Sequence, residues 1–220
     1  MEFNLSPRLL LCSQFVRPGD RVADVGCDHG YLGIYLLKQN IAANVYASDI
    51  NQGPLSSAVR NAQKYQVEDR ISFYLSAGVK SVPQDFDTLI CAGMGADTII
   101  SILEDAPWLQ NDKYRLILQC QSKTPLLRSY LWKKGWDIRQ EKAVRDGRFV
   151  YTVMEVLHSP FVPSSAAQLY FSPALSLEQT EEAKEYLDRT LRMLRLSVDG
   201  KGEKADKNEL EALKQLEEQR

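Results

Sequence analysis

Between about residues 20 and 118, short apolar or β-branched runs alternate with stretches of helical periodicity, and this alternation constrains the chain more than any other feature. It is the pattern of βα units wound around a parallel sheet, whose strands are buried on both faces and therefore read as continuous apolar runs. The strands are expected at Arg21–Val25, Asn44–Ser48, Ile71–Leu75, Asp87–Cys91 and Tyr114–Gln119. Helical crossovers are expected near 31–39, 54–65 and 95–104, the second with Pro54 in its first turn, where a missing N–H costs little. Ser6-Pro7 opens a helix that precedes the first strand. A further helix, about 124–134, ends on Lys133-Lys134-Gly135, and two strands at 136–144 and 149–156 flank Asp146-Gly147, a hairpin signal.

Five parallel strands, a helix and a terminal antiparallel hairpin form the element order of the class I methyltransferase fold, a Rossmann-like α/β architecture. A mostly parallel seven-stranded sheet is thus expected over residues 1–158. The proline- and serine-containing linker His158–Ser165 would close it. Residues 159–220 would hold that linker and a coiled-coil-like C-terminal helical hairpin, with helices near 177–198 and 203–219 about Asp199-Gly-Lys-Gly202. Leu187, Leu191, Leu194 and Val198 would face Leu210, Leu213 and Leu216.

The chemistry concentrates in Asp24-Val-Gly26-Cys-Asp28-His29-Gly30-Tyr31 at the end of the first strand, where glycines let a strand turn sharply into a helix and bring backbone amides to a ligand. A dinucleotide fingerprint would need glycine at 28 and 31, where Asp28 and Tyr31 stand. A carboxylate there repels pyrophosphate and suits a cation, which favours S-adenosyl-L-methionine, whose ammonium and sulfonium are both positive. Asp24 and Asp28 are assigned to its amino-acid end, with Gly26, His29 and Gly30 alongside. Asp49 follows the second strand 23 residues after Gly26, where an acid can accept both ribose hydroxyls of an adenosine. Ile50 and Asn51 would flank the ribose or adenine, and Gly78 would approach the adenine edge. Gly33 is either part of that turn or a packing glycine.

After the fourth strand, Gly93-Met94-Gly95 lies where this fold places the methyl acceptor. No Asn-Pro-Pro-Tyr motif is present. The chain resembles the TrmK-type tRNA (adenine-22-N1)-methyltransferases in Leu5-Ser-x-Arg-Leu9, Asp24–Leu32, Ala47-Ser-Asp49, Ala92-Gly-Met-Gly95, Leu118-Gln-x-Gln121 and the C-terminal hairpin. It departs from that family at Ala96, where a further glycine is usual. The resemblance implies methylation of adenine N1 in tRNA, at position 22, with S-adenosyl-L-methionine as cofactor. The alternative is a methyltransferase acting on another RNA, a protein or a small molecule. Adenine N1 is neutral with a free lone pair, so alignment and electrostatics suffice without prior deprotonation. Asp28, Met94, Gly95 and Gln119 are the catalytic candidates, and Gly93 borders the cofactor. A base-paired target would have to be unpaired first.

The formal net charge is −2, yet residues 114–148 hold nine Lys/Arg against three acids, a surface suited to phosphate. Lys123, Arg128, Lys133, Arg145 and Arg148, joined by Arg8, are the expected RNA contacts. Four dispersed cysteines and two histidines suggest neither disulfides nor a metal site. The start of the chain has no basic and apolar leader pattern, and no long apolar run appears, so a cytoplasmic protein without membrane contact is expected; the sequence does not decide the oligomeric state, for which a monomer is favoured.

Overall fold

The computed structural model describes residues 5–204 and 206–218, with every side chain among them except that of Glu203. Residues 1–4, on which part of the leader reading rests, and the expected helix end at 219 lie outside the described residues. A seven-stranded sheet forms the frame: β1 (Arg21–Val25), β2 (Asn44–Asp49), β3 (Ile71–Leu75), β4 (Thr88–Met94), β5 (Arg115–Cys120), β6 (Trp136–Asp146) and β7 (Phe149–His158). Its order is β3-β2-β1-β4-β5-β7-β6. The first five strands are parallel, and β7 pairs antiparallel with both β5 and β6. The mostly parallel, Rossmann-like expectation holds.

Both faces of the sheet are covered, which explains the continuous apolar runs. Helices α2 (Tyr31–Lys38) and α3 (Gln52–Lys64) join α1 (Pro7–Gln14) on one face. That core holds Leu11, Ile34, Leu36, Val45, Ala58 and Ile117. On the other face α4 (Ala96–Glu104) and α5 (Thr124–Lys133) bury Ile99, Leu103, Leu127 and Leu131 against Leu89, Leu116 and Leu118. The strand order reverses between β1 and β4, and the crevice beyond the C-terminal ends of these strands is where open α/β sheets bind ligands. Gly33 is a packing glycine: an added Cβ would stand 2.9 Å from Val45 Cγ1. Ser6 precedes α1 without capping it through its side chain.

The C-terminal part differs from expectation in detail. Two short helices, α6 (Ala167–Tyr170) and α7 (Pro173–Ser176), follow the linker. The first long helix, α8 (Glu181–Lys201), begins four residues later than expected because Thr180 Oγ1 accepts a hydrogen bond from Ala183 N at 3.2 Å. It also continues through Gly200, and the chain turns at Gly202, where φ is +52°. Glycine inside a helix costs only about 1 kcal/mol, whereas positive φ ends it. Against α8 packs α9 (Lys207–Glu218), with Ala167, Leu191, Leu194, Ala212 and Leu216 forming a small core of their own.

Candidate functional site

The turn after β1 is held by the end of β2. Gly26 N and Cys27 N donate to Ser48 O at 2.8 and 2.9 Å, and Asp28 N donates to Asp49 Oδ2 at 3.2 Å. Asp49 Oδ1 accepts from Asn51 N at 2.8 Å. One carboxylate thus fixes both its own loop and the glycine turn, and each oxygen retains capacity for another donor. The turn requires positive φ at Gly26 (+68°), Asp28 (+50°) and Gly30 (+74°). A short polar aspartate tolerates this conformation better than most residues. Asp28 is exposed, with its Oδ1 3.6 Å from His29 Nε2.

Two cavities meet at Gly26. The larger, about 550 Å³, is lined by Asp49, Ile50, Asn51, Ser76, Ala77, Gly78 and Met94, and extends to Asp97, Ser101 and Asp105 on the α4 side. Ile50 is 68% exposed at the rim of this cavity. Gly78 takes φ +63° against Ile102, and its carbonyl accepts from Ser48 Oγ at 3.0 Å. The smaller cavity, about 310 Å³, is lined by Asp24, Gly26, Asp28, His29, Gly93 and Arg8, among others. Met94 Cε lies over Gly26, 2.3 Å from where an added Cβ would stand, but that flexible tip can swing aside, and it is the positive φ that favours glycine there.

Asp24 is the decisive group. It is 4% exposed, and its Oδ2 is buried without a hydrogen-bond partner. Burial pushes its carboxyl up to about 7, opposed by a hydrogen bond from the Gly33 backbone and reinforced by the charge of Asp49. A buried carboxyl with one oxygen unsatisfied, on a residue that lines a cavity, is unfavourable for the fold alone and well suited to a cationic ligand.

Gly93 sits in a β-bulge, since the β4–β5 register shifts between Ala92 and Met94. Its φ is +79°, and its amide donates to Gln119 Oε1 at 2.9 Å. Gln119 Nε2 donates to Cys120 O, and the residue is fully buried. The expectation of Gln119 as a residue touching substrate is therefore corrected: both ends of its amide are committed to backbone, and it shapes the Gly93 loop. Gly95 lines neither cavity and packs against Ser122, with 3.0 Å between an added Cβ and Ser122 Oγ.

The basic residues divide by burial. Arg128 is fully buried, with Nη2 2.6 Å from Glu141 Oε1 and Nη1 donating to the carbonyls of Leu169 and Tyr170. Arg128 is thus no RNA contact, because charge counting cannot see burial. Arg8 is also reassigned: its Nη1 pairs with Asp146 Oδ2 at 2.8 Å, and the residue lines the smaller cavity. Lys123, Lys133, Arg145 and Arg148 remain exposed, with Lys123 paired to Asp97 and Arg145 to Glu185. The Arg148 guanidinium lies 4.9 Å from the centre of the Phe149 ring. Phe149 and Met193, both largely exposed, border a groove of about 440 Å³ between the loop after β5 and α8, with Lys123 and Arg189 also at its edge. Sequence reasoning missed this groove and the acids Asp97 and Asp105, because the elements that form them meet only in three dimensions. Among the described residues no group of three or more His, Cys, Asp or Glu is placed to hold a metal, and no helix is long and apolar enough to cross a membrane.

The sheet order, the crevice at Gly26 and the acid after β2 are those of the methyltransferase fold. Residues 5–154 match the methyltransferase domain family, and the chain belongs to that family. By sequence it is 30% identical over 154 residues to the tRNA (adenine(22)-N(1))-methyltransferase of Bacillus subtilis, covering 70% of this chain and 65% of that protein. The structure of the B. subtilis M1A22 tRNA methyltransferase TrmK superposes with a TM-score of 0.82 at 25% identity, covering 99% and 96% of the two chains. Streptococcus pneumoniae Sp1610 in complex with S-adenosyl-L-methionine superposes with a TM-score of 0.85 at 26% identity, covering 96% and 97%. A ribosomal protein L11 methyltransferase of Thermotoga neapolitana is 31% identical over 140 residues, covering 63% of this chain and 52% of it. The chain spans a little under two thirds of the length of the first curated relatives it matches, 64% and 65%.

Proposed function

We propose that this chain transfers a methyl group from S-adenosyl-L-methionine to adenine N1 of tRNA, at position 22. The observation that carries the cofactor reading is the buried, unpartnered Asp24 Oδ2 beside the smaller cavity, with Asp49 and the exposed Ile50 bordering the larger one beyond Gly26. A ligand with a cationic amino-acid end and an adenosine end fits that pair of cavities, and a pyrophosphate does not. When bound, the cofactor supplies a methyl group made electrophilic by its sulfonium.

The chain's own residues bind and orient. Asp24 accepts from the ammonium, and Asp49 accepts from the ribose hydroxyls while its backbone bonds keep it in place. Asn51 and Ile50 border the ribose and adenine, and Gly78 approaches the adenine edge. Met94, unbranched and adaptable, covers Gly26 and limits water at the reacting centre. Adenine N1 attacks with its own lone pair, so no residue has to remove a proton first. The positive charge that develops on the base is favoured by the Asp28 carboxylate and by the carbonyls of the Gly93 loop. His29, with Nε2 3.6 Å from Asp28 Oδ1, borders the same cavity.

The RNA reading rests on the likeness to the B. subtilis enzyme over nearly the whole fold. The hairpin beyond residue 158 is read as a second unit, supported by its own apolar cluster. Lys123, Lys133, Arg145 and Arg148, with the groove beside Phe149, provide cations and an aromatic face for unpaired nucleotides. The test is incubation of the purified protein with labelled cofactor and either unmodified tRNA or ribosomal protein. Label in tRNA alone supports the reading, and label in protein alone transfers it to the class of the Thermotoga relative.

A further inference from the structure

Gln119 lies within β5 and Gln121 just beyond its end, and the two amides are used differently. That of Gln119 is buried and consumed by backbone, its Oε1 accepting from Gly93 N and its Nε2 donating to Cys120 O. Gln121 is exposed, and among the described residues its side-chain amide has no hydrogen-bond partner. The backbone that carries it is nevertheless fixed. Gln121 N donates to Met94 O at 2.8 Å and Ala96 N to Ser122 O at 3.1 Å, so the loop after β5 is pinned to the loop after β4. Chain neighbours apart, Gln121 Nε2 is the nearest atom to the position of a Cβ on Gly93, at 3.7 Å, which leaves the space over that glycine open. Gly93 lines the smaller cavity, its neighbour Met94 lines the larger one, and Gln121 lines the 440 Å³ groove beside Phe149. A free carboxamide on a fixed backbone thus stands where the groove meets both cavities. A flat ring can lie over a residue that has no Cβ. A carboxamide at the edge of that ring is the side chain that reads adenine, because Oε1 accepts from the N6 amine while Nε2 donates to N7. This pairing leaves N1 and its lone pair untouched. Guanine presents the acceptor O6 where adenine presents its amine, and so cannot make the first bond.

We infer that Gln121 reads the N6/N7 edge of the acceptor adenine and holds its N1 toward the methyl group. The inference rests on the proposed adenine N1 reading and supplies the residue that selects the base. As N1 bonds to the methyl carbon and the carbon–sulfur bond breaks, the positive charge passes from sulfur to the base and no proton leaves. The N6 amine then becomes a stronger donor, so its bond to Oε1 is strongest once that charge has developed. Gln121 therefore acts on the rate as well as on the choice of base.

The test is steady-state kinetics on tRNA carrying either adenine at position 22 or 7-deazaadenine, in which a C–H replaces N7. Because that replacement also alters N1, the readout is each protein's preference for adenine over 7-deazaadenine, compared between wild type and variants. The preference is expected to be roughly 10-fold greater in the wild type than in Gln121→Met. Gln121→Met is expected to lower kcat/KM on the adenine substrate by about 10- to 100-fold, chiefly through kcat. Its melting temperature should be unchanged and its S-adenosylhomocysteine affinity within about twofold of wild type, since the residue is exposed and anchored by its backbone. Gln121→Glu keeps an acceptor for N6 but no donor for N7, so it should retain more of the rate than Gln121→Met while showing the same reduced preference. An equal preference in wild type and Gln121→Met overturns the inference, as does an unchanged kcat/KM in that variant. A loss of S-adenosylhomocysteine affinity as large as the loss of kcat/KM would also overturn it, because Gln121 would then act through the cofactor. If the wild type leaves adenine 22 unmethylated, the proposed function itself fails, and the inference falls with it.

Discussion

At the scale of single residues, Asp24 carries opposing demands. Its carboxyl is raised to about 7 when folded, against about 4 in an unfolded chain. The folded state then holds more protons than the unfolded state between pH 4 and pH 7. Stability from this group is complete below pH 4 and is lost as pH rises through 7. Asp24→Asn is accordingly expected to raise the melting temperature of the ligand-free protein at pH 8, while weakening S-adenosylhomocysteine binding by on the order of 100-fold. Thermal melts and calorimetry on the same samples check both signs. In the wild type, binding of the cationic ligand requires the ionised carboxylate, so affinity should fall about tenfold per pH unit below 7. A flat pH profile would remove Asp24 from the site. The acid was legible in sequence because it belongs to a local turn motif. What the sequence did not show of Arg8 is its ion pair with Asp146 and its place in a cavity lining, both formed by remote segments. Gln119 was misread for a related reason: a bulge at Gly93, invisible in sequence, consumes its amide.

At the scale of elements, the hairpin is tied to the sheet through Arg128 on α5. The guanidinium joins Glu141 of β6 to the carbonyls of Leu169 and Tyr170, and Ser172 Oγ donates to the other oxygen of Glu141 while capping α7 through Leu175 N. The pair is fully buried, so removing one partner leaves an uncompensated charge. Arg128→Met should cost about 3–5 kcal/mol, and Arg128→Met with Glu141→Leu should recover much of the loss. Denaturant titration of the single and double variants measures this, and equal losses in both would show that packing rather than charge dominates. The strands were readable because burial on both faces leaves an apolar run. The helices α6 and α7 have four residues each, too short for any periodicity. Their only sequence signal was Ser172-Pro173, a cap followed by proline at the first helical position.

At the scale of the whole molecule, the proposed reading asks a near-neutral chain to bind a polyanion with a surface that is locally basic. Of the cations counted between residues 114 and 148, Arg115 and Arg128 are spent on buried ion pairs, which leaves Lys123 at the groove, Arg145 and Arg148 by the β6–β7 turn, and Lys133, Lys134 and Arg139 exposed at the end of α5 and the start of β6. The affinity for tRNA should fall steeply with salt, while that for S-adenosylhomocysteine changes little. Replacing Lys133 and Arg148 together should reduce the salt slope by about 2, which filter binding across a salt series measures. An unchanged slope would place the RNA elsewhere. The division of labour we propose is a sheet domain that holds the cofactor and a basic flank that holds the substrate. The measurement that tests this most directly is nucleoside mass mapping of unmodified tRNA after reaction with the purified protein and S-adenosyl-L-methionine. The account predicts one added methyl, on N1 of adenine 22. A methyl on another atom or nucleotide, or an unmodified tRNA beside a methylated protein, would contradict it.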